Sequence, residues 1–206
     1  MCAGPDGLFI TLEGGEGAGK STQARLLAEG LAAAGRPVLL TREPGGAPGA
    51  EALRRMLLGG EHDWSATAEC HLHFAARAEH LARTVLPALG AGMVVVCDRF
   101  VDSTMAYQGW GLGADRTLIA GLTRLLPVQP DMTLVLRVSP AQRQARLASR
   151  RGTLDHYEAM DAGFHARVAE GFAAIAVAEP RRCRVIEADG AVAAVQAAIW
   201  AAIVGA

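Results

Sequence analysis

The residues Gly14-Gly15-Glu16-Gly17-Ala18-Gly19-Lys20-Ser21 follow the spacing G-x-x-x-x-G-K-[ST], and each part of that spacing has a physical task. Glycines let backbone N–H groups curl around phosphate oxygens with no side chain in the way. A helix that starts near Lys20 and runs through Thr22 points its positive end at the same anion. The Lys20 ammonium can reach the β- and γ-phosphates of a bound nucleotide, and the Ser21 hydroxyl can ligate Mg²⁺. Lys20 is also the single lysine among 20 basic residues, the other 19 being arginine. A compact ammonium is retained where a planar guanidinium would not fit a tight phosphate cradle.

A second group of residues suits the other half of such a site. The run Met93-Val94-Val95-Val96-Cys97-Asp98 reads as a buried strand ending in a carboxylate. Ligands of parallel sheets gather at the carboxyl ends of strands, so Asp98 can stand beside Ser21 and hold Mg²⁺ through water. A plain turn or cap is the alternative use of an Asp there. Arg99 follows at once and is expected to face a second anion, the alternative being an ion pair with Asp98 or Glu43. The histidines carry no metal signature: His71 and His73 point about 200° apart on a helix, and His73 and His80 lie two turns apart.

These residues must be held by regular elements, and the hydrophobic pattern supplies them. Strands are expected at Leu8–Glu13, Pro37–Thr41, Met93–Cys97, Thr133–Val138 and Arg184–Glu187. Helices are expected at Ser21–Ala34, Gly49–Leu58, Thr67–Leu89, Asp115–Leu126, Ala141–Arg150 and Ala159–Ala178. Apolar strands without polar alternation, separated by helices, imply a three-layer α/β fold: a parallel five-stranded sheet flanked by helices. One domain spanning 1–206 is expected, with a mobile lid at about 146–158, where the charged, glycine-containing stretch lies. The alanine-rich tail from Ala191 repeats Val192, Val195, Ile199 and Ile203 at helical spacing and reads as a docked terminal helix, too short to span a bilayer.

Composition narrows the function further. With 20 basic and 21 acidic residues the formal net charge is −1, which argues against a nucleic-acid surface or a polybasic membrane anchor. Four scattered cysteines form no C-x-x-C pair, so reduced thiols in a cytoplasmic protein are expected.

Four segments in order, GGEGAGKST (14–22), TREPGG (41–46), HFAAR (73–77) and DRFVDSTMAYQG (98–109), resemble the thymidylate (dTMP) kinases from Leu8 to about Glu187. The resemblance implies a P-loop nucleoside monophosphate kinase fold, ATP and dTMP as substrates, Mg²⁺ as cofactor and a homodimer. It implies that Glu16 contacts the sugar 3′-hydroxyl, that Arg42, Arg54 and Arg99 attend the acceptor phosphate, and that Pro44 walls the thymine methyl. Arg77 would bond the thymine carbonyl face, Thr104 and Gln108 would read the remaining base edge, and Tyr107 would disfavour a 2′-hydroxyl. Gly17 suits members that supply arginines from the lid to the transferring phosphoryl group; the candidates here are Arg146, Arg150 and Arg151, Arg150 and Arg151 being the catalytic pair, and the simpler reading is a solvated basic helix end. The chain departs from the pattern at His73, where the family has an aromatic residue to stack on the base, and at His156, where its lid usually has arginine. A kinase for another pyrimidine monophosphate is the nearest alternative. A P-loop ATPase switch is the more distant one, although it would lack the cluster of Arg77, Arg99, Tyr107 and Gln108.

Overall fold

A computed structural model describes residues 7–149 and 156–204. Five strands, β1 (Leu8–Glu13), β2 (Val38–Arg42), β3 (Val94–Asp98), β4 (Met132–Arg137) and β5 (Cys183–Glu187), form one parallel sheet in the order β2-β3-β1-β4-β5. Each return to a parallel neighbour requires a crossover, and helices supply the crossovers on both faces. They are α1 (Lys20–Ala33), α2 (Pro48–Leu58), α3 (Ala66–His80), α4 (Leu86–Gly90), α5 (Val101–Thr104), α6 (Arg116–Arg124), α7 (Pro140–Ser149), α8 (Ala162–Ala178) and α9 (Val192–Val204).

Alternation along the strands feeds two cores. Ile10, Leu12, Val94, Val96, Leu134 and Leu136 pack beneath Leu27 and Leu31 of α1 and Val195 and Ile199 of α9. Phe9, Val95 and Cys97 face the opposite way, toward Cys70 and Phe74 of α3, Leu81, Val85 and Phe100. Both faces are covered, which is why the strands read as unbroken apolar runs. Register then sets the site: Leu12 and Arg42 both stand opposite Asp98, so the carboxyl ends of β1, β2 and β3 finish level.

Element boundaries follow local chemistry. The Asp161 carboxylate accepts the Phe164 N–H at 2.7 Å and starts α8, three residues later than the pattern suggested. The expected helix over Thr67–Leu89 is realised as α3 and α4 joined by a π-helical stretch, Leu81–Val85. The terminal helix docks on α1, as expected. Between Arg99 and Ala114 the sequence pattern predicts no element, yet α5 runs into a second π-helical stretch, Met105–Gly111. This segment is stabilised by packing against α8, not by propensity: a Cβ on Gly111 would lie 2.5 Å from the Phe164 ring. No helix among the described residues is long and apolar enough to cross a membrane.

Ile199 has no exposed surface and joins α9 to the sheet. Ile199→Ala should cost about 3 kcal/mol, lost transfer energy plus a cavity. Urea unfolding checks it; a loss below about 1 kcal/mol would mean α9 contributes little to the core.

Candidate active site

The phosphate-binding spacing forms a loop between β1 and α1, with Gly19 at φ 90° immediately before the helix. Lys20 folds back so that its ammonium donates to the Gly15 carbonyl at 2.8 Å. Burial, together with the positive Arg99 nearby, lowers its pKa to about 8. The Ser21 hydroxyl donates to Asp98 Oδ2, and Asp98 Oδ1 is buried without a protein partner. A hydroxyl and a carboxylate side by side, with one carboxylate oxygen unfulfilled, are a donor set suited to a hard divalent cation.

Arg99 sits at φ 71°, a strained backbone for a residue with a side chain. Its peptide is pinned, since Arg99 N–H donates to the Leu12 carbonyl at 2.9 Å. The next turn is held by Glu13, whose carboxyl accepts from Phe100 N–H at 2.7 Å and the Ser103 hydroxyl at 2.6 Å. Burial foremost, with Asp102 adding to it, raises the Glu13 pKa to about 8. The guanidinium then meets Glu16 at 2.5 Å, the Tyr107 hydroxyl at 3.1 Å and the Gly14 carbonyl at 3.2 Å. Glu16 also accepts from the Tyr107 hydroxyl at 2.9 Å. The carboxylate partner of Arg99 is therefore Glu16, not Asp98 or Glu43, because the positive φ turns the side chain across β1 toward the phosphate loop.

Arg77 is 2% exposed. Its Nε donates to Glu43 at 2.8 Å and its Nη2 to the Thr104 hydroxyl at 3.1 Å, while Nη1 is buried with no protein partner. Phe74 and Phe100 flank the guanidinium through their ring faces. The Pro44 carbonyl accepts from Arg54 at 2.7 Å. Arg42 is half exposed and paired with Glu51 at 3.0 Å, so in this state it is turned to that carboxylate.

His73 does more than offer a face for stacking. Its Nε2 lies 3.2 Å from the Tyr157 hydroxyl, which also accepts from Gln108 at 2.9 Å and donates to Glu69 at 2.9 Å. Because that hydroxyl hydrogen goes to Glu69, His73 is the donor in its own contact. Burial, reinforced by Arg77, Arg99 and Arg54, pushes the imidazole pKa from the ordinary 6.5 to about 3. His156 Nε2 lies 3.7 Å from the other Glu69 oxygen.

One cavity of about 410 Å³ joins these groups. Glu16, Gly17, Gly19, Lys20, Ser21, Thr22, Asp98 and Arg146 line one end. His73, Arg77, Thr104 and Gln108 line the other, with Arg99 and Tyr107, both bonded to Glu16, between them, and Arg42, Pro44 and Arg54 also in the lining. Gly14, Gly15 and Ala18 stand behind the lining; the carbonyls of the first two hold Arg99 and Lys20, and Ala18 belongs to the core. Arg146 was expected to serve a phosphoryl group, but here donates to the carbonyls of Gly17 at 3.1 Å and Ala188 at 2.6 Å, tying the phosphate loop to the turn after β5. Arg150 and Arg151 lie outside the described residues. Glu13, Glu43, Glu69 and Tyr157 carry much of the arrangement. Of these only Glu43 lies inside a motif, TREPGG, where the sequence offers it as a partner for Arg99; the structure pairs it with Arg77.

A parallel sheet with a phosphate loop at one end of its cleft and arginines, one of them buried, further along it defines a P-loop phosphotransferase of the nucleoside monophosphate kinase type. The thymidylate kinase family model matches residues 12–199. Thymidylate kinases of Gluconobacter oxydans and Caulobacter vibrioides are 54% and 50% identical, over 96% and 94% of this chain and 94% of each relative. The crystal structure of thymidylate kinase from Ehrlichia chaffeensis is similar with a TM-score of 0.80 at 35% identity, covering 97% of this chain and 99% of that one. The chain belongs to the thymidylate kinase family.

His73 supplies a pH test of the pocket's dryness. The unfolded chain takes up a proton on this ring below about 6.5 whereas the folded chain does not until about 3. The linked stability is therefore present above 6.5 and lost as pH falls toward 3. His73→Phe should lose less stability than wild type between pH 6.5 and 4, read from urea midpoints. Equal slopes would mean that the ring is solvated and titrates normally.

Proposed function

We propose that the protein transfers the γ-phosphoryl group of ATP to dTMP, giving dTDP. The observation that carries this reading is a continuous cavity, with Lys20 and Ser21 at one end and the unpaired Nη1 of Arg77 at the other. A donor and an acceptor nucleotide bound there would meet near Arg99.

In this reading the ATP phosphates lie in the 14–22 loop, with Lys20 on the β- and γ-phosphates. Ser21 and Asp98 would hold Mg²⁺, whose contribution when bound is to neutralise charge on phosphate oxygens. Arg99 stands between the loop and the acceptor end, and it attends the acceptor phosphate by sharing itself between Glu16 and that anion. Arg42 and Arg54 stand at the same junction, and Arg42 reaches the phosphate by giving up Glu51. Arg77 gives its free N–H to a thymine carbonyl, Thr104 and Gln108 stand at the remaining base edge, and Pro44 walls the methyl. His73 covers the ring, Tyr107 lies against the deoxyribose, and Glu16 is within reach of its 3′-hydroxyl.

The acceptor is a phosphate monoester with a second pKa near about 6, so at pH 7 it is already largely the nucleophilic dianion. No general base is needed. The rate comes from in-line positioning and from charge spread by Lys20 and the arginines, with Arg150 and Arg151 assigned to that task from the segment at 146–158. Closure of that segment would exclude water and so prevent idle hydrolysis of ATP. A cytoplasmic setting is supported by the free, buried thiols of Cys70, Cys97 and Cys183. A homodimer rests on family resemblance.

Coupled detection of ADP in the presence of dTMP, dUMP, UMP or dCMP, and with no acceptor, is the direct test. Release should require an acceptor and be fastest with dTMP. Faster use of another pyrimidine monophosphate would favour a sister kinase, and release independent of any acceptor would favour an ATPase.

Two substitutions probe the ends of the cavity. Lys20→Ala should lower kcat by about 100-fold or more through lost charge stabilisation. Arg99→Ala should raise the KM for dTMP more than that for ATP. Unchanged dTMP affinity and turnover in Arg99→Ala would remove Arg99 from the acceptor site.

A further inference from the structure

His80 has no exposed surface, lies outside the cavity lining, and is used by no step above. It nevertheless ends a continuous chain of hydrogen bonds that leads into the cavity. Its Nδ1 is 2.9 Å from Glu43 Oε1, and its Nε2 is 2.8 Å from the Thr41 hydroxyl. The other oxygen of Glu43 holds Arg77 Nε, and Arg77 Nη2 is fixed in turn by Thr104. Only Nη1 remains, buried and unpaired.

Each link restricts the next. Both oxygens of Glu43 are engaged, one by an imidazole and one by a guanidinium, so the carboxylate cannot rotate without breaking one of them. Glu43 N–H donates to the Asp98 carbonyl at 3.0 Å, which fixes its backbone as well. A guanidinium held at Nε and Nη2 has its plane set, and with the plane set the direction of Nη1–H is set. The imidazole is also packed against the loop after β2: a Cβ on Gly46, which sits at φ 80°, would come within 2.5 Å of both His80 Nε2 and Thr41 Oγ1. His80 therefore touches Glu43, Thr41 and Gly46 together, and no other rotation of the ring serves all three.

We infer that His80 is a positioning residue for base selection: through Glu43 it aims the free N–H of Arg77 into the acceptor cavity. The chemistry that an aimed N–H recognises is a ring carbonyl. Thymine presents a carbonyl oxygen at the position where cytosine presents an amino group. A donor fixed there accepts the first and is left unpaired, opposed by another donor, with the second. The base preference of the reaction thus depends on a residue that never meets the base. This inference rests on the acceptor-end assignment made above.

The test compares two substitutions that truncate the ring similarly and keep different halves of its hydrogen bonding. His80→Asn leaves an amide near the Nδ1 position, within reach of Glu43; His80→Gln leaves one near the Nε2 position, within reach of Thr41. Steady-state kinetics with dTMP and dCMP, together with the KM for ATP and the thermal midpoint, are measured for both and for wild type. The expected result is that His80→Gln raises the KM for dTMP and lowers the dTMP-over-dCMP preference by about tenfold, the effect of losing one charged hydrogen bond. Its KM for ATP should stay within about twofold of wild type on the same ground, since the chain leads only to the acceptor end. His80→Asn should recover most of the preference, even if its thermal midpoint falls as far.

Equal loss of preference in both, or a loss that follows the thermal midpoint, would overturn the positioning role. So would an unchanged preference in both. Should either variant fail to fold, Thr41→Val keeps Glu43 and the imidazole in place and removes one restraint on the ring. It should shift the preference in the same direction by about threefold, and no shift would overturn the inference. If wild type takes a different pyrimidine monophosphate in place of dTMP, the proposed function fails. The same variants, read on the preferred acceptor against its amino or keto counterpart, still decide the role of His80.

Discussion

Two guanidinium groups, Arg77 fully buried and Arg99 largely withdrawn from water, constrain the acceptor half of the cleft. A charge withdrawn from water costs several kcal/mol unless a counter-charge and further hydrogen bonds go with it. Each arginine has its own carboxylate: Glu43 for Arg77 and Glu16 for Arg99. Both carboxylates stand on loops that leave the carboxyl ends of strands, Glu16 after β1 and Glu43 after β2. The level strand ends, with Leu12 and Arg42 opposite Asp98, are what bring those loops together. The pairing also separates the two arginines in kind. Arg77 keeps one N–H spare and can serve a neutral base without giving anything up. Arg99 has committed both terminal nitrogens and can serve an anion only by sharing.

The same economy explains the other unusual groups. Glu13 is buried at the end of β1 and its pKa is raised to about 8, because burial there outweighs the hydrogen bonds it receives. It holds the turn that carries Arg99 through a strained φ, so one buried acid stabilises the backbone while another neutralises the side chain. Opposite charges are matched locally and tightly. A formal net charge of −1 is the sum of such matches, and it conceals a cleft lined by basic groups, among them the unpaired Arg77 Nη1 and the Lys20 ammonium.

What could be read from the sequence was what is local. The phosphate loop is legible because its glycines, Lys20 and Ser21 do their work within eight residues. The strands are legible because both sheet faces are covered, and α9 because Val195 and Ile199 fall on one face. The segment Val101–Gly111 was missed because its glycines and mixed side chains favour no element alone; Phe164, more than 50 positions away in sequence, gives it shape. The sequence leads one to expect that Arg99 faces a second anion, with Asp98 or Glu43 as the alternative partner; the carboxylate it meets, Glu16, lies across β1. Glu43, Glu69, Tyr157 and His80 act through partners on other elements, and residue type alone carries no record of a partner. His73 shows the same limit from the other side: family pattern suggests a ring for stacking, and the polar edge finds Tyr157.

The lysine that opened the site is best understood beside Arg146. Both side chains reach carbonyls of the same loop, Lys20 that of Gly15 and Arg146 those of Gly17 and Ala18. Arg146 comes from outside, where a forked, planar group can also span to Ala188 and Gly190. Lys20 comes from within, at the first turn of α1, and is almost completely buried. There a guanidinium would bring five donors into a space furnished with one carbonyl, and those left over would be unpaired until a nucleotide arrived. An ammonium needs less room, can turn from the Gly15 carbonyl to a phosphate by rotation alone, and can lessen its burial cost by giving up a proton as its pKa falls to about 8. A guanidinium has no such recourse, since it does not deprotonate in proteins. In a chain that uses arginine at every other basic position, the inner face of the phosphate loop is a place where the geometry excludes it.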